Sequence, residues 1–223
     1  MGRRATKVRL KRSQGAYLGV GQLYVIRHGQ TTCNAAAIIQ GPRIDSELSE
    51  EGRRQAAALG SAFQESNLDV IVTSPMQRAR DTAEALVAGT GAKVASRVAP
   101  ELYEIDFGDY CGRALPEVAE DVAHVVDAWD LGFVDQAFPG GESPVLAQHR
   151  IRHVADHLRQ QSMDLDVAVV AHGRINRILL ATLMGLPLTD MKRFPQDNAN
   201  ITQLEWTDAG AHIRRLNDVS HLS

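Results

Sequence analysis

Cysteine is scarce, with Cys33 and Cys111 the two in 223 residues. Two thiols build no disulfide framework, which fits a reducing compartment, so a cytoplasmic setting is expected. No apolar run approaches the roughly 20 residues that a helix needs to cross a bilayer, and no membrane span is expected. The opening segment is too basic and too polar for a secretory signal. Internal repeats, low-complexity tracts and an interdomain linker are also missing. The first twelve residues contain no acid, while Arg3, Arg4, Lys7, Arg9, Lys11 and Arg12 bring six positive charges. From an overall charge of -3, removing those six leaves -9 on the rest of the chain. An acidic body of this kind does not read as a nucleic-acid binder, although the tail alone has the charge to touch an anionic surface.

Residues 1–22 therefore read as a basic, flexible N-terminal extension. Gly2 followed by Thr6 also fits the loose myristoylation pattern, and an arginine-rich, acid-free start fits a mitochondrial presequence. Residues 23–223 are expected to form one globular domain, since the chain is 44 % hydrophobic and 23 % charged, an ordinary globular composition. Oligomeric state is not legible from the sequence.

What is present centres on Leu23-Tyr24-Val25-Ile26, which reads as a buried strand, followed at once by Arg27-His28-Gly29. In an open α/β sheet ligands sit beyond the carboxyl ends of the strands, so a cation and a histidine there are placed to meet an anion. Ser49, with Glu50 and Glu51 behind it, is a natural N-cap, and Ala56, Leu59, Gly60 and Phe63 follow at helical spacing. Asp69 to Thr73 is a second strand. Ser74-Pro75 then reads as cap and first turn of a helix that sends Met76, Ala79, Ala83 and Leu86 inward, with Arg78 near the strand end.

Lys93 to Val98 is a candidate third strand, and 101–116 is irregular but holds Glu101, Glu104, Asp106 and Asp109. Helices are expected at 116–131 and 143–161, separated by the loop Phe138 to Glu142. Val167 to Ala171 is a fully apolar strand that ends in His172-Gly173 and runs into a helix. Asn200 to Trp206 and His212 to Leu216 alternate as two strands joined around Thr207 to Gly210. Strands alternating with helices imply an α/β fold, a three-layer α/β/α sandwich on a mostly parallel, mixed sheet.

Several linked pieces now resemble the histidine phosphatase superfamily, the phosphoglycerate mutase-like proteins. They are Arg27 to Thr31 with Asn34; Gln40-Gly41 followed by Asp45, Leu48 and Gly52; Ser74 to Ala79; Leu102 to Gly108; Pro139 to Ser143; Ala171-His172-Gly173; and Asn198 to Thr202. The resemblance implies a metal-independent phosphomonoesterase. His28 would be the nucleophile that becomes a phosphohistidine, and Arg27 and Arg78 would clamp the phosphoryl group. His172, Asn34 and the Gly173 amide would complete the cage, and Gln40 and Gly41 would contribute to substrate binding. Glu104 matches the family's acid and base, with Asp106 and Glu101 as the other acids of that loop. Asn34 also reads as a simple helix cap. No metal or other cofactor is implied, because the cationic side chains supply the neutralisation.

The resemblance is incomplete in informative places. Cys33 stands where an aromatic residue is frequent and Cys111 where a glutamate is frequent, which puts both thiols near the pocket rim. Three residues separate Gly41 from Asp45 where many members have two, so that loop is expected to be reshaped. Ile105-Asp106-Phe107-Gly108 replaces the Arg-His-Tyr-Gly of glycolytic mutases, which favours hydrolysis of a small phosphorylated substrate, a sugar phosphate or phosphoglycerate-type acid. A mutase primed by a bisphosphoglycerate and a non-enzymatic phosphate-binding module are the alternatives. His149, His153 and His157 recur at i, i+4 and i+8, but they lie off the apolar stripe of Ala147, Ile151, Val154, Ala155 and Leu158, so a solvated face is expected there rather than a metal site.

Overall fold

The computed structural model describes residues 21–90 and 94–223. The basic extension up to residue 20, with its lipidation and import patterns, and Lys93 lie outside the described residues. Six strands form one sheet in the order β3-β2-β4-β1-β5-β6. They are β1 Gln22–Arg27, β2 Val70–Thr73, β3 Ala95–Val98, β4 Val167–Ala171, β5 Ile201–Thr207 and β6 Gly210–Asp218. The first four are mutually parallel where they pair, while β5 runs antiparallel to β1, and β6 to β5. The mixed three-layer architecture expected from the alternation of strands and helices is the one observed.

The helices are α1 Thr32–Ala35, α2 Glu50–Ala62, α3 Gln77–Thr90, α4 Leu115–Asp130, α5 Pro144–Ser162 and α6 Gly173–Leu183. Every residue of β4 is buried, because its two faces belong to different cores. Val167, Val169 and Ala171 join the larger core with Ile151, Leu158, Ile175 and Leu179 of α5 and α6. Ala168 and Val170 join the smaller one with Leu59, Ala79, Ala83 and Leu86 of α2 and α3. A strand covered on both faces reads as an unbroken apolar run, and that is how Val167 to Ala171 reads. No helix among the described residues is long and apolar enough to cross a membrane.

Differences from the sequence expectation are local. The helix after β2 starts at Gln77 rather than at Pro75. Ser74 does accept from the Met76 amide (3.3 Å), but its hydroxyl is also needed elsewhere, as described below. Ser143 and Ser49 cap α5 and α2 by accepting from the amides of Leu146 and Gly52. His149, His153 and His157 are exposed. Glu101 reaches this helix face from another loop and lies 3.2 Å from His153 Nε2. Among the described residues no group of three or more potential metal ligands occurs.

Candidate active site

Strand register assembles the site. Arg27 of β1 is level with Ala171 of β4, and the His28 amide donates to the Ala171 carbonyl (3.0 Å). The two residues that follow these strand ends, His28 and His172, are thereby side by side, their rings edge to face with centroids 5.1 Å apart. On the other flank of β4 the Ser74 amide donates to the Val170 carbonyl, which sets Ser74 against His172. Three parallel strands thus deliver a histidine, a histidine and a serine to one point.

The tautomers follow from the partners. His28 Nδ1 lies 2.7 Å from the Gly29 carbonyl, which only accepts, so the proton sits on Nδ1 and Nε2 keeps its lone pair. His172 Nε2 lies 2.6 Å from Ser74 Oγ. The assignment that strands no hydroxyl proton has Ser74 accept from Met76 and donate to Nε2, leaving the proton of His172 on Nδ1. That Nδ1 is buried without a partner among the described residues, and so are Arg27 Nε and Arg78 Nε. Orphaned donors of this kind are costly unless something accepts from them. Burial first, then the charges of Arg78 and Arg27, hold the His28 imidazole well below the usual histidine range. Burial, with Arg78, His28 and Arg27, does the same to His172. Both rings are neutral at neutral pH.

The two arginines are held in place by backbone carbonyls and one carboxylate. Arg27 donates through Nη1 to the Gln196 carbonyl (2.6 Å). Arg78, fully buried, donates to the carbonyls of Gly41 and Ile44 and to Asp45, 3.2 Å away. Gly41 has φ +58°, and a Cβ on it would come within 2.8 Å of Cys111 Sγ, so glycine fits both the backbone and the space. The loop between Gly41 and Asp45 sends Arg43 across to Asp106 (2.9 Å), strapping it to the 101–110 segment.

A cavity of about 250 Å³ opens over these residues. His28, Arg27, Arg78, Asn34, Gln40, Gly41, Glu104 and Gly173 all line it. His172 is not among the lining residues; its ring is fully buried and packs edge to face beside His28. Of the three acids considered for the 101–106 loop, only Glu104 reaches the cavity, since Glu101 pairs with His153 and Asp106 with Arg43. The Glu104 carboxylate accepts from the amides of Ile105, Arg174 and Ile175, which ties it to the first turn of α6.

Asn34 is both cap and wall. Its Oδ1 accepts from the Thr31 amide (3.1 Å) and from Asn198 Nδ2, leaving its own amino group for the cavity. Gln40 is spanned between Thr31 and Ser46, so its head holds the loop together. Cys111 lies against Gly41, and burial and Asp106 push its thiol up, away from thiolate character. Residues that sequence reasoning missed are Arg174, Arg177 and Gln196 on the cavity wall and Ser74 behind His172. The i, i+3 spacing of Arg174 and Arg177 on a helix starting at a histidine-glycine strand end was the available signal.

Comparison with known proteins accords with this geometry. "Probable phosphoglycerate mutase GpmB" of Erwinia tasmaniensis is 30% identical over 210 residues, covering 90% of this chain and 94% of that one. "Phosphoserine phosphatase 1" of Hydrogenobacter thermophilus is 28% identical over 201 residues, covering 90% and 94%. The structure of mycobacterial glucosyl-3-phosphoglycerate phosphatase complexed with VO3 superposes with a TM-score of 0.78 at 33% identity, covering 89% of this chain and 99% of that one. The relatives are thus named as phosphatases and as mutases. With a family model described as histidine phosphatase superfamily (branch 1) matching residues 23–219, the chain belongs to that superfamily.

Proposed function

We propose that the protein is a metal-independent phosphomonoesterase that acts through a phosphohistidine at His28 on a small phosphorylated metabolite of the sugar phosphate or phosphoglycerate type. The observation that carries this reading is a neutral histidine whose Nδ1–H is committed to the Gly29 carbonyl, beside the buried Nε–H groups of Arg27 and Arg78 and the Nδ1–H of His172, which have no partner among the described residues. His28 Nε2 attacks phosphorus, the ester P–O bond breaks, and Glu104 gives its proton to the departing alkoxide. The imidazolium character that develops on His28 is met by the Gly29 carbonyl. Arg27, Arg78, the Nδ1–H of His172 and the Asn34 amino group receive the equatorial oxygens. In the second half, Glu104 takes a proton from water, the water oxygen bonds to phosphorus and the P–N bond breaks. Glu104 thereby regains the proton it gave, and phosphate leaves.

Phosphate release from p-nitrophenyl phosphate and a panel of sugar phosphates and phosphoglycerates, in EDTA, tests this. The wild type is expected to release phosphate and His28→Ala to be inactive; release by the variant at the wild-type rate overturns the role of His28. A second reading, a mutase, is favoured by the names of relatives such as that of Erwinia tasmaniensis. Interconversion of phosphoglycerates after priming with 2,3-bisphosphoglycerate, without phosphate release, would establish it instead.

A further inference from the structure

Asn176 is fully buried on α6, between the apolar Ile175 and Ile178 of the same helix, and it is not among the residues that line the cavity. Packing alone gives no reason for an amide there. Its Oδ1 has no partner among the described residues, a state that costs stability wherever a polar atom is buried. The amino group, by contrast, is fully used. Nδ2 donates to the Ile26 carbonyl (3.1 Å) and to Gln196 Oε1 (3.0 Å). Both bonds end beside Arg27, since Ile26 precedes it in β1 and the main-chain carbonyl of Gln196 accepts from Arg27 Nη1 (2.6 Å).

Gln196 belongs to the irregular stretch that leads into β5. Its side chain is anchored at both polar atoms, Oε1 on Asn176 and Nε2 on the Pro195 carbonyl (2.9 Å). An anchored side chain limits where its own main-chain carbonyl points, and a charge-assisted bond to that carbonyl fixes the plane of the guanidinium. With Nη1 held on Gln196, the edge that carries Nε–H is left for an anion, and Nε has no partner among the described residues. The main chain of Arg27 is fixed separately. Its amide donates to Asn200 Oδ1 (3.2 Å), and its carbonyl accepts from the Ala199 amide (3.1 Å). What Asn176 adds is the orientation of the charged head.

We propose that Asn176 is a positioning residue for Arg27, acting through Gln196 to aim the Nε–H edge of the guanidinium at the phosphoryl group during transfer. This rests on the phosphatase reading above. A guanidinium turned slightly away still attracts a bound phosphate ester, but it fits the oxygens of the transferring group less well. The loss therefore falls on kcat more than on KM.

A double-mutant cycle on p-nitrophenyl phosphate tests it. Asn176→Ala is expected to lower kcat about tenfold and to change KM less than about threefold. In an Arg27→Ala background the same substitution should lower kcat less than about twofold, because the group it orients is gone. A similar loss in both backgrounds, no loss in either, or a loss carried by KM alone overturns the role. Gln196→Met, which keeps the volume and loses the acceptor, should follow the same pattern, and it carries the cycle if melting curves show that Asn176→Ala has not folded. Vanadate affinity by calorimetry in the same four proteins reads the cycle without turnover, with about tenfold weaker binding expected from Asn176→Ala and little further loss beside Arg27→Ala. If the wild type binds vanadate but hydrolyses no ester, the phosphatase reading is what fails, and these affinities decide the positioning role. A wild type that neither binds vanadate nor hydrolyses the ester overturns both.

Discussion

Chemistry at the level of single residues is decided here by which atom of each side chain is already spoken for. His28 spends Nδ1 on the Gly29 carbonyl, which leaves Nε2 as the basic nitrogen, and burial keeps it unprotonated. His172 spends Nε2 on Ser74 and keeps Nδ1–H as a donor. Glu104 is held by three amides yet lines the cavity, a position suited to handing a proton to an alkoxide. If that is its task, its loss matters in proportion to how poor the leaving group is. Glu104→Gln should lower kcat for an alkyl phosphate by about 100-fold or more but much less for p-nitrophenyl phosphate, whose phenolate departs without help. Equal losses on both esters would remove Glu104 from proton transfer. Arg27 and His28 stand out in the sequence because they interrupt an apolar run at a strand end, and Arg78 because it follows the next strand closely; Glu104 lies in an irregular stretch and is marked only by the resemblance to the family. Ser74 does not stand out, because a serine before Pro75 already has a sufficient explanation as a helix cap.

At the level of elements, the segment 101–106 shows how an irregular stretch can hold a functional carboxyl in place. Leu102 and Ile105 are anchored in the core on either side of Glu104. Arg150, from α5, donates to the carbonyls of Glu101 and Tyr103, lies over the Tyr103 ring at 3.5 Å, and pairs with Glu142 at 2.7 Å. Glu142 in turn donates its amide to the Asp106 carbonyl (2.8 Å). Gly108, with φ +58°, lets the chain turn back there, where a Cβ would lie 1.9 Å from the Pro139 carbonyl oxygen. Arg150 is thus a positioning residue for Glu104. Both members of its ion pair are 12% exposed, so breaking the pair leaves a largely buried carboxylate with the Asp106 amide, 3.4 Å away, as its remaining donor. Arg150→Met should cost about 3 kcal/mol in urea unfolding, and Arg150→Met with Glu142→Leu should recover part of that. The single variant should also lower kcat for alkyl phosphates more than for p-nitrophenyl phosphate; a purely structural role would lower both alike. None of this clamp is legible in the sequence, since an arginine on a helix and a glutamate in a Pro-Gly-Gly loop carry no sign of each other.

The whole molecule carries the site as a stability burden that depends on pH. In the unfolded chain His28 and His172 titrate near 6.5, whereas in the fold burial and the arginines depress both. Below about pH 6.5 the unfolded state binds protons that the folded state refuses, so stability falls as pH falls, by up to about 1.4 kcal/mol per pH unit for each histidine. The urea midpoint of the wild type should therefore drop between about pH 7.5 and 5.5 more steeply than that of His172→Gln. Parallel curves would mean that His172 takes up a proton in the fold as readily as in the unfolded chain. The sequence by itself determined the element order, the three-layer α/β class and the side chains at strand ends, because burial on two faces imposes apolar runs and capping imposes particular residues at helix starts. Even the boundaries shift by only a residue or two, as at Gln77 in place of Pro75. Only the tertiary structure decided that β1 lies between β4 and β5, that this register puts His28 beside His172, and that Arg174 and Arg177 face the same cavity. Those facts depend on contacts between residues more than 100 positions apart in the chain, and no local pattern of polarity or conformational preference encodes a pairing at that distance.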